Sequence, residues 1–187
     1  MIKLAIFASG SGSNAENIIN YFSTRNSVRI VKVFSNNKHA KVFDRCKRLL
    51  VPYSLFSKDD FYASESFIMQ LKNDVDYIIL AGFLWKVPAN LINAFPNKII
   101  NIHPSLLPKY GGKGMFGMHV HNAVKKNNEI ESGITIHFVN ENYDEGAIIF
   151  QATIPISPTD SPEDIAHKIH LLEYEHFPTV IDSVIHE

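Results

Sequence analysis

Asn101 and His103 are the residues of this 187-residue chain whose types and spacing point most directly to chemistry. They stand in Asn101-Ile102-His103-Pro104-Ser105-Leu106-Leu107-Pro108, directly after the apolar pair Ile99-Ile100. In extended chain, side chains two residues apart share a face, so an amide and an imidazole are presented together. Pro104 and Pro108 bias the residues before them toward extended backbone, which stiffens that presentation. In an open α/β sheet, ligands bind at the carboxyl ends of the strands, so this pair marks a candidate site. Asp144, in the loop Glu141-Asn142-Tyr143-Asp144-Glu145-Gly146, is the candidate carboxylate. Near His103 it would favour the imidazolium and raise its pKa. Away from His103, an acid beside a Glu-Gly pair is an ordinary solvated turn.

A second constellation is Gly10-x-Gly12-x-x-Ala15, which follows an apolar run and opens a helical pattern. Backbone N–H groups at such a helix start favour an anion, most simply a phosphate; a plain tight turn is the bland alternative. A nicotinamide dinucleotide would call for an acid at the end of the next strand, where Ser35-Asn36-Asn37 stands instead. No Gly-Lys-Ser/Thr follows, so the loop is not of the nucleoside-triphosphatase type. Nine histidines include His119-Val120-His121 and His167-x-x-His170, but no metal-binding spacing accompanies them. His137 alternates with Ile134, Ile136 and Phe138, which suits a hydrogen-bonded core or wall histidine. Ala81 to Pro88 runs from an apolar strand into an apolar loop that could wall a flat ligand or belong to ordinary core.

The elements that must position these residues alternate. Apolar runs at 4–8, 28–34, 52–56, 76–81 and 99–103 predict strands, and helices are expected at 15–21, around Val42, Cys46 and Leu49, and over 59–72. That order predicts an α/β fold, a Rossmann-like doubly wound sheet. A helix over 119–126 follows, then strands at 132–139 and 147–156 joined by residues 140–146. So short a connection predicts an antiparallel pair, hence a mixed, mostly parallel sheet. Ser161 is the expected N-cap of a last helix, with Pro162 at its first position and Pro178 kinking or ending it. The chain is expected to form a single domain over 1–187.

Composition excludes some classes. A formal net charge of −1 gives no basic stripe for nucleic acid. The longest apolar run, Tyr77 to Trp85, is too short for a bilayer-spanning helix, which needs about 20 residues. The single cysteine, Cys46, allows no intrachain disulfide and is expected to be a packed residue. A cytoplasmic protein, monomeric or homodimeric, acting on small molecules without nucleic acid, membrane or metal, is the expectation.

Ser9-Gly10-Ser11-Gly12-Ser13-Asn14, Ala81-Gly82-Phe83, Asn101 to Pro108, and Asp144 with Gly146 occur in the order found in the folate-dependent formyltransferases, which this chain resembles over nearly its whole length. The Gly-Ser-Asn loop and the length are most similar to the purine-synthesis branch and to a related hydrolase that carries an extra N-terminal domain. Methionyl-tRNA relatives carry an extra C-terminal domain. The resemblance implies a formyltransferase fold. It also implies an enzyme that transfers the formyl group of 10-formyltetrahydrofolate, as co-substrate, to the amine of 5'-phosphoribosylglycinamide in purine biosynthesis.

The same resemblance implies a catalytic set of Asn101, His103 and Asp144. Asn101 and a protonated His103 would hold the oxyanion, and Asp144 would keep His103 charged and help relay a proton through water. Gly12, Ser13 and Asn14 would take the 5'-phosphate, and Glu173 the ribose or glycinamide end. Leu84, Trp85, Val87 and Asn140, with Asn101 and Asp144, would contact the folate, and His119 would lie near the substrate. Two departures stand out: Gly111 to Met118 is longer than the family's usual segment, and Trp85 stands where a basic residue is frequent. Formyltetrahydrofolate hydrolysis, formylation of another amine, and a nucleotide- or folate-binding module are the alternatives.

Overall fold

The computed structural model describes residues 1–187 in two compact units, Met1–Ile100 with Glu187, and Asn101–His186. In the first, β1 (Ile2–Phe7) pairs in parallel with β2 (Val28–Ser35) and with β4 (Tyr77–Leu80), and β2 pairs in parallel with β3 (Tyr53–Leu55). Leu4 to Ala8 are wholly buried, as a continuous apolar run in a central parallel strand requires. Helix α1 (Ser13–Phe22) buries Ala15, Ile18, Ile19 and Phe22, the spacing of one helical face. Helix α2 (Val42–Leu49) buries Val42 and Cys46. Burial pushes the Cys46 thiol up to about 11, so it is a packing residue and not a nucleophile. The aromatic core centres on Phe7, whose ring lies 5.2 to 6.1 Å from those of Phe34, Phe56, Phe61 and Phe83.

The single helix expected over 59–72 is two. Helix α3 (Lys58–Ala63) and α4 (Glu65–Asp74) are separated by Ser64, whose backbone is extended at φ −87° and ψ 107°. Its hydroxyl accepts the Phe67 N–H at 3.2 Å, so the residue caps a new helix where it would otherwise continue the old one. A short helix, α5 (Ala89–Ala94), which the sequence did not separate from the apolar loop, starts after Pro88.

Strand β5 (Ile99–His103) carries the chain into the second unit, which holds α6 (Met118–Lys126), β6 (Glu131–Phe138), β7 (Ile148–Pro155) and α7 (Pro162–His186). Strands β6 and β7 pair antiparallel, as the short connection implied, with an irregularity between Ile136 and His137. Ser161 and Asp164 form a reciprocal cap at the start of α7. Pro178 does not end that helix, which continues to His186; the ring removes one N–H from the ladder and the flanking turns persist. The strand order is β3-β2-β1-β4-β5-β6-β7, an α/β mixed sheet that is mostly parallel with an antiparallel C-terminal pair.

Candidate active site

In the second unit, β5, β6 and the β6–β7 loop bring four polar side chains together. Asn101 and His103 lie two residues apart in the C-terminal part of β5, the spacing that puts them on one face. The segment that follows is held from β6 and β7. The Thr135 hydroxyl donates to the Ser105 carbonyl at 2.7 Å and accepts the Leu107 N–H at 3.0 Å, and the Gln151 amide donates to the Leu107 carbonyl at 3.1 Å. His103 is 4% exposed. Its Nε2–H donates to the Tyr110 carbonyl at 2.7 Å, and its Nδ1 lies 3.5 Å from Asp144 Oδ2.

Asp144 reaches His103 because its loop closes tightly. The residue has φ 56°, and the Gly112 N–H donates to its Oδ2 at 2.9 Å. Two residues on, a Cβ at Gly146 would stand 1.7 Å from the Phe138 carbonyl oxygen, so only glycine lets the loop rejoin β7. A left-handed, non-glycine residue stores roughly 1–3 kcal/mol, here offset by hydrogen bonds to the carboxylate.

His137 joins this cluster, although its strand pattern suggested only a hydrogen-bonded wall. It is 2% exposed, and its Nδ1–H donates to the Phe138 carbonyl at 2.8 Å. That fixes Nε2 as an acceptor, which takes an Asn101 Nδ2–H at 3.0 Å and lies 3.7 Å from Asp144 Oδ1. Beside the ring the register shifts, with Ile149 of β7 standing unpaired between the partners of Ile136 and His137, an irregularity that residue spacing does not reveal. Asn101 keeps a second Nδ2–H beyond the one given to His137.

The electrostatics correct one expectation. Asp144 does push the His103 pKa upward, and the Tyr110 carbonyl helps, but burial outweighs both and the net pKa lies below the ordinary value. The resting ring is therefore biased to the neutral form with its proton on Nε2, leaving Nδ1 as the acceptor. The imidazolium, once formed, meets an oxygen at each nitrogen. Burial pushes the Asp144 carboxyl up, but His137, His103 and the Gly112 N–H together hold it below the usual carboxylate value, so it is ionised.

Glu173 on α7 is 5% exposed, and its Oε2 accepts from His170 Nδ1–H at 2.8 Å, which raises the His170 pKa. Its charge also acts on His103 and on His121, whose pKa burial lowers. His119 and His121 diverge: His121 is buried, whereas His119 is exposed with its ring 5.1 Å from that of Phe116. Phe116 and Met118 are exposed and Met115 half-buried in the glycine-rich segment. Asn140 is exposed, its side chain turning the loop by accepting the Asn142 N–H at 3.0 Å. No group of three or more His, Cys, Asp or Glu side chains is arranged to hold a metal.

In the first unit, the glycine loop ends at Gly12, the N-cap of α1 with φ 73°, followed by Ser13 and the buried Asn14. The Arg45 Nε–H donates to the Ser11 carbonyl at 2.7 Å, and Arg45 and Arg48 both pair with Glu16 on α1. The first-turn N–H groups of such a helix lack intrahelical partners and suit an anion. A Cβ at Gly12 would lie 2.4 Å from Val42 Cγ2. Gly12→Ala is expected to lower unfolding stability by roughly 1–3 kcal/mol, measured by urea denaturation. An unchanged midpoint would show that the loop does not need this close approach. Leu84 is exposed and its N–H donates to Ser9 Oγ at 3.0 Å; Trp85 stacks on Tyr62 at 5.9 Å; the Val87 side chain is core.

A family model described as formyl transferase matches residues 2–181. The chloroplastic phosphoribosylglycinamide formyltransferase of Arabidopsis thaliana is 37% identical over 193 residues, covering 99% of this chain and 66% of that protein. The Vigna unguiculata protein of the same name is 36% identical over 192 residues, covering 99% of this chain and 61% of its own length. The chain thus spans less than two thirds of these plant relatives. The crystal structure of phosphoribosylglycinamide formyltransferase from Anaplasma phagocytophilum is similar at a TM-score of 0.87 and 32% identity, covering 96% of this chain and 84% of that one. No helix is long and apolar enough to cross a membrane. The sequence order of the motifs, the mixed sheet and these likenesses agree: the chain belongs to the formyl transferase family.

Proposed function

We propose that this chain, acting as one formyltransferase domain over residues 1–187, transfers the formyl group of 10-formyltetrahydrofolate to the amine of 5'-phosphoribosylglycinamide in de novo purine biosynthesis. The observation that carries the reading is the cluster of buried His103 and His137 with half-buried Asn101 and Asp144, with Nδ1 of His103 3.5 Å from Asp144 Oδ2, in a chain of this family. The relatives named for this reaction support the choice of substrate.

The amine nitrogen attacks the formyl carbon, and the carbonyl electron pair moves onto oxygen. The Asn101 Nδ2–H left over from the His137 bond donates to that oxygen. Attack makes the nitrogen acidic, and neutral His103 takes its proton at Nδ1, directly or through one water. The ionised Asp144 then pairs with the imidazolium it faces. Collapse breaks the bond from carbon to N10, and the proton passes to N10. One proton leaves the amine and one arrives at N10, so no side chain need become covalently attached.

In this reading Gly12, Ser13 and Asn14 take the substrate phosphate and Glu173 the ribose or glycinamide end. Leu84, Trp85, Val87 and Asn140, with Asn101 and Asp144, contact the folate. The enzyme works in the cytoplasm as a monomer or homodimer. The deciding experiment follows consumption of 10-formyltetrahydrofolate with and without 5'-phosphoribosylglycinamide. Consumption that requires the amine, with one formylated product per donor consumed, is expected. Consumption without it would make the chain a hydrolase, and tight binding without turnover would make it a binding module.

A further inference from the structure

Two backbone groups hold the cluster, the Tyr110 carbonyl on His103 Nε2 and the Gly112 N–H on Asp144 Oδ2. Both depend on the course of the chain through Tyr110, which has φ 56°, a conformation an aromatic residue does not choose for itself. Something outside the loop must hold it.

The C-terminal end of α6 supplies that hold. Asn128 takes φ 50°, its N–H donates to the Lys125 carbonyl at 3.0 Å, and the Glu129 N–H donates to the Val124 carbonyl at 3.3 Å. This is a Schellman closure, which sets the positions of Asn127 and Glu129 firmly against the helix. The Asn127 amide donates to the Tyr110 hydroxyl at 2.8 Å, and that hydroxyl donates to Glu129 Oε1 at 2.9 Å. The phenol thus donates to one group and accepts from another, both at one helix end. Gly111 tightens the turn further, since a Cβ there would meet Leu107 Cδ2 at 2.5 Å and Asp144 Cβ at 3.3 Å. Lys109 also reaches Glu129, at 3.2 Å, but is mostly exposed and adds little.

We infer that Tyr110, Asn127 and Glu129 form a positioning latch, in which the helix end holds the tyrosine ring so that its carbonyl orients His103 and the following turn orients Asp144. None of the three touches the reacting atoms; they act through His103 and Asp144. This assignment rests on the proposed formyl transfer for its catalytic meaning, but its geometry does not. The groups that face His103 are Asp144 from the β6–β7 loop, His137 from β6, Glu173 from α7, His121 from α6 and the Tyr110 carbonyl. Of these, the latch controls the carbonyl and, through Gly112, the setting of Asp144. Both favour the imidazolium, so loosening them lowers the pH at which His103 titrates.

The test follows the His103 ring resonance by NMR against pH in wild type, Tyr110→Phe, Glu129→Ala and Glu129→Gln. Tyr110→Phe keeps the ring and removes only the hydroxyl. Glu129→Gln keeps an oxygen that can accept it. A lower His103 pKa is expected in Tyr110→Phe and Glu129→Ala and a near-wild-type value in Glu129→Gln. Turnover is measured beside it, with kcat expected to fall about 10- to 100-fold in Tyr110→Phe and Glu129→Ala and KM to stay within about twofold. Wild-type titration in both Tyr110→Phe and Glu129→Ala overturns the latch. If Tyr110→Phe does not fold, the two Glu129 variants decide alone: a shift in Ala and none in Gln supports the latch, and equal titration overturns it. Failure of the wild type to formylate 5'-phosphoribosylglycinamide would overturn the proposed reaction while the titration still judged the latch.

Discussion

His103→Ala is expected to lower kcat about 10³- to 10⁴-fold, the range over which a positioned proton-transfer group acts. The expectation follows from the assignment of the two ring nitrogens. Nε2 is committed to the Tyr110 carbonyl at 2.7 Å, so Nδ1 is the one position that can accept a proton. Truncation removes that acceptor and the cation Asp144 would pair with. It also opens a small buried space, so circular dichroism must show that the variant is folded. KM for the donor is expected to stay close to wild type, because the assigned folate contacts lie largely on other residues. A folded variant that turns over within about tenfold of wild type would remove His103 from the chemistry.

Asp144→Asn is expected to lower kcat roughly 10²- to 10⁴-fold and to move the His103 pKa further down. The amide keeps an oxygen for the Gly112 N–H, so the loop retains its main tether and the change isolates the charge. In the native protein the negative carboxylate favours the imidazolium and opposes burial, which already holds His103 below the ordinary histidine value of about 6.5. Without it, burial is opposed only by the Tyr110 carbonyl and Glu173, so the ring gives up its second proton at still lower pH. The ring then accepts a proton from the amine less readily, and the imidazolium stands without its counter-charge. NMR titration of the His103 ring reads the shift directly. A His103 pKa that rises, or stays fixed, in a folded Asp144→Asn variant would show that the carboxylate is not its electrostatic partner. The two substitutions are expected to be far from additive, since each disables the same proton transfer.

Much of the architecture was legible because burial writes itself into residue pattern. Leu4 to Ala8 is an unbroken apolar run since both faces of β1 are covered there, and α1 shows one apolar face since only one is. The antiparallel β6–β7 pair followed from a loop too short for a crossover. What the pattern missed were local contests. Ser64 could continue a helix or cap one, and its hydroxyl took the Phe67 N–H. Pro178 removes a single donor, which a helix as long as α7 tolerates.

The candidate site divides in the same way. Asn101 and His103 were readable together because they are two residues apart on one strand. Their types alone state the chemistry they could do, and the ordered motifs identified the family. The sequence by itself thus determined the alternating α/β plan, the family and the pairing of two candidate groups at one strand end. Only the tertiary structure decided that Asp144, some forty residues on, reaches His103, and that His137 turns from wall to partner. It also decided that the His103 ring rests below its ordinary pKa, and that Tyr110 is held from the far end of α6. These are matters of distance and burial between segments remote along the chain. Coulomb and desolvation energies depend on that spatial arrangement, which no local spacing encodes.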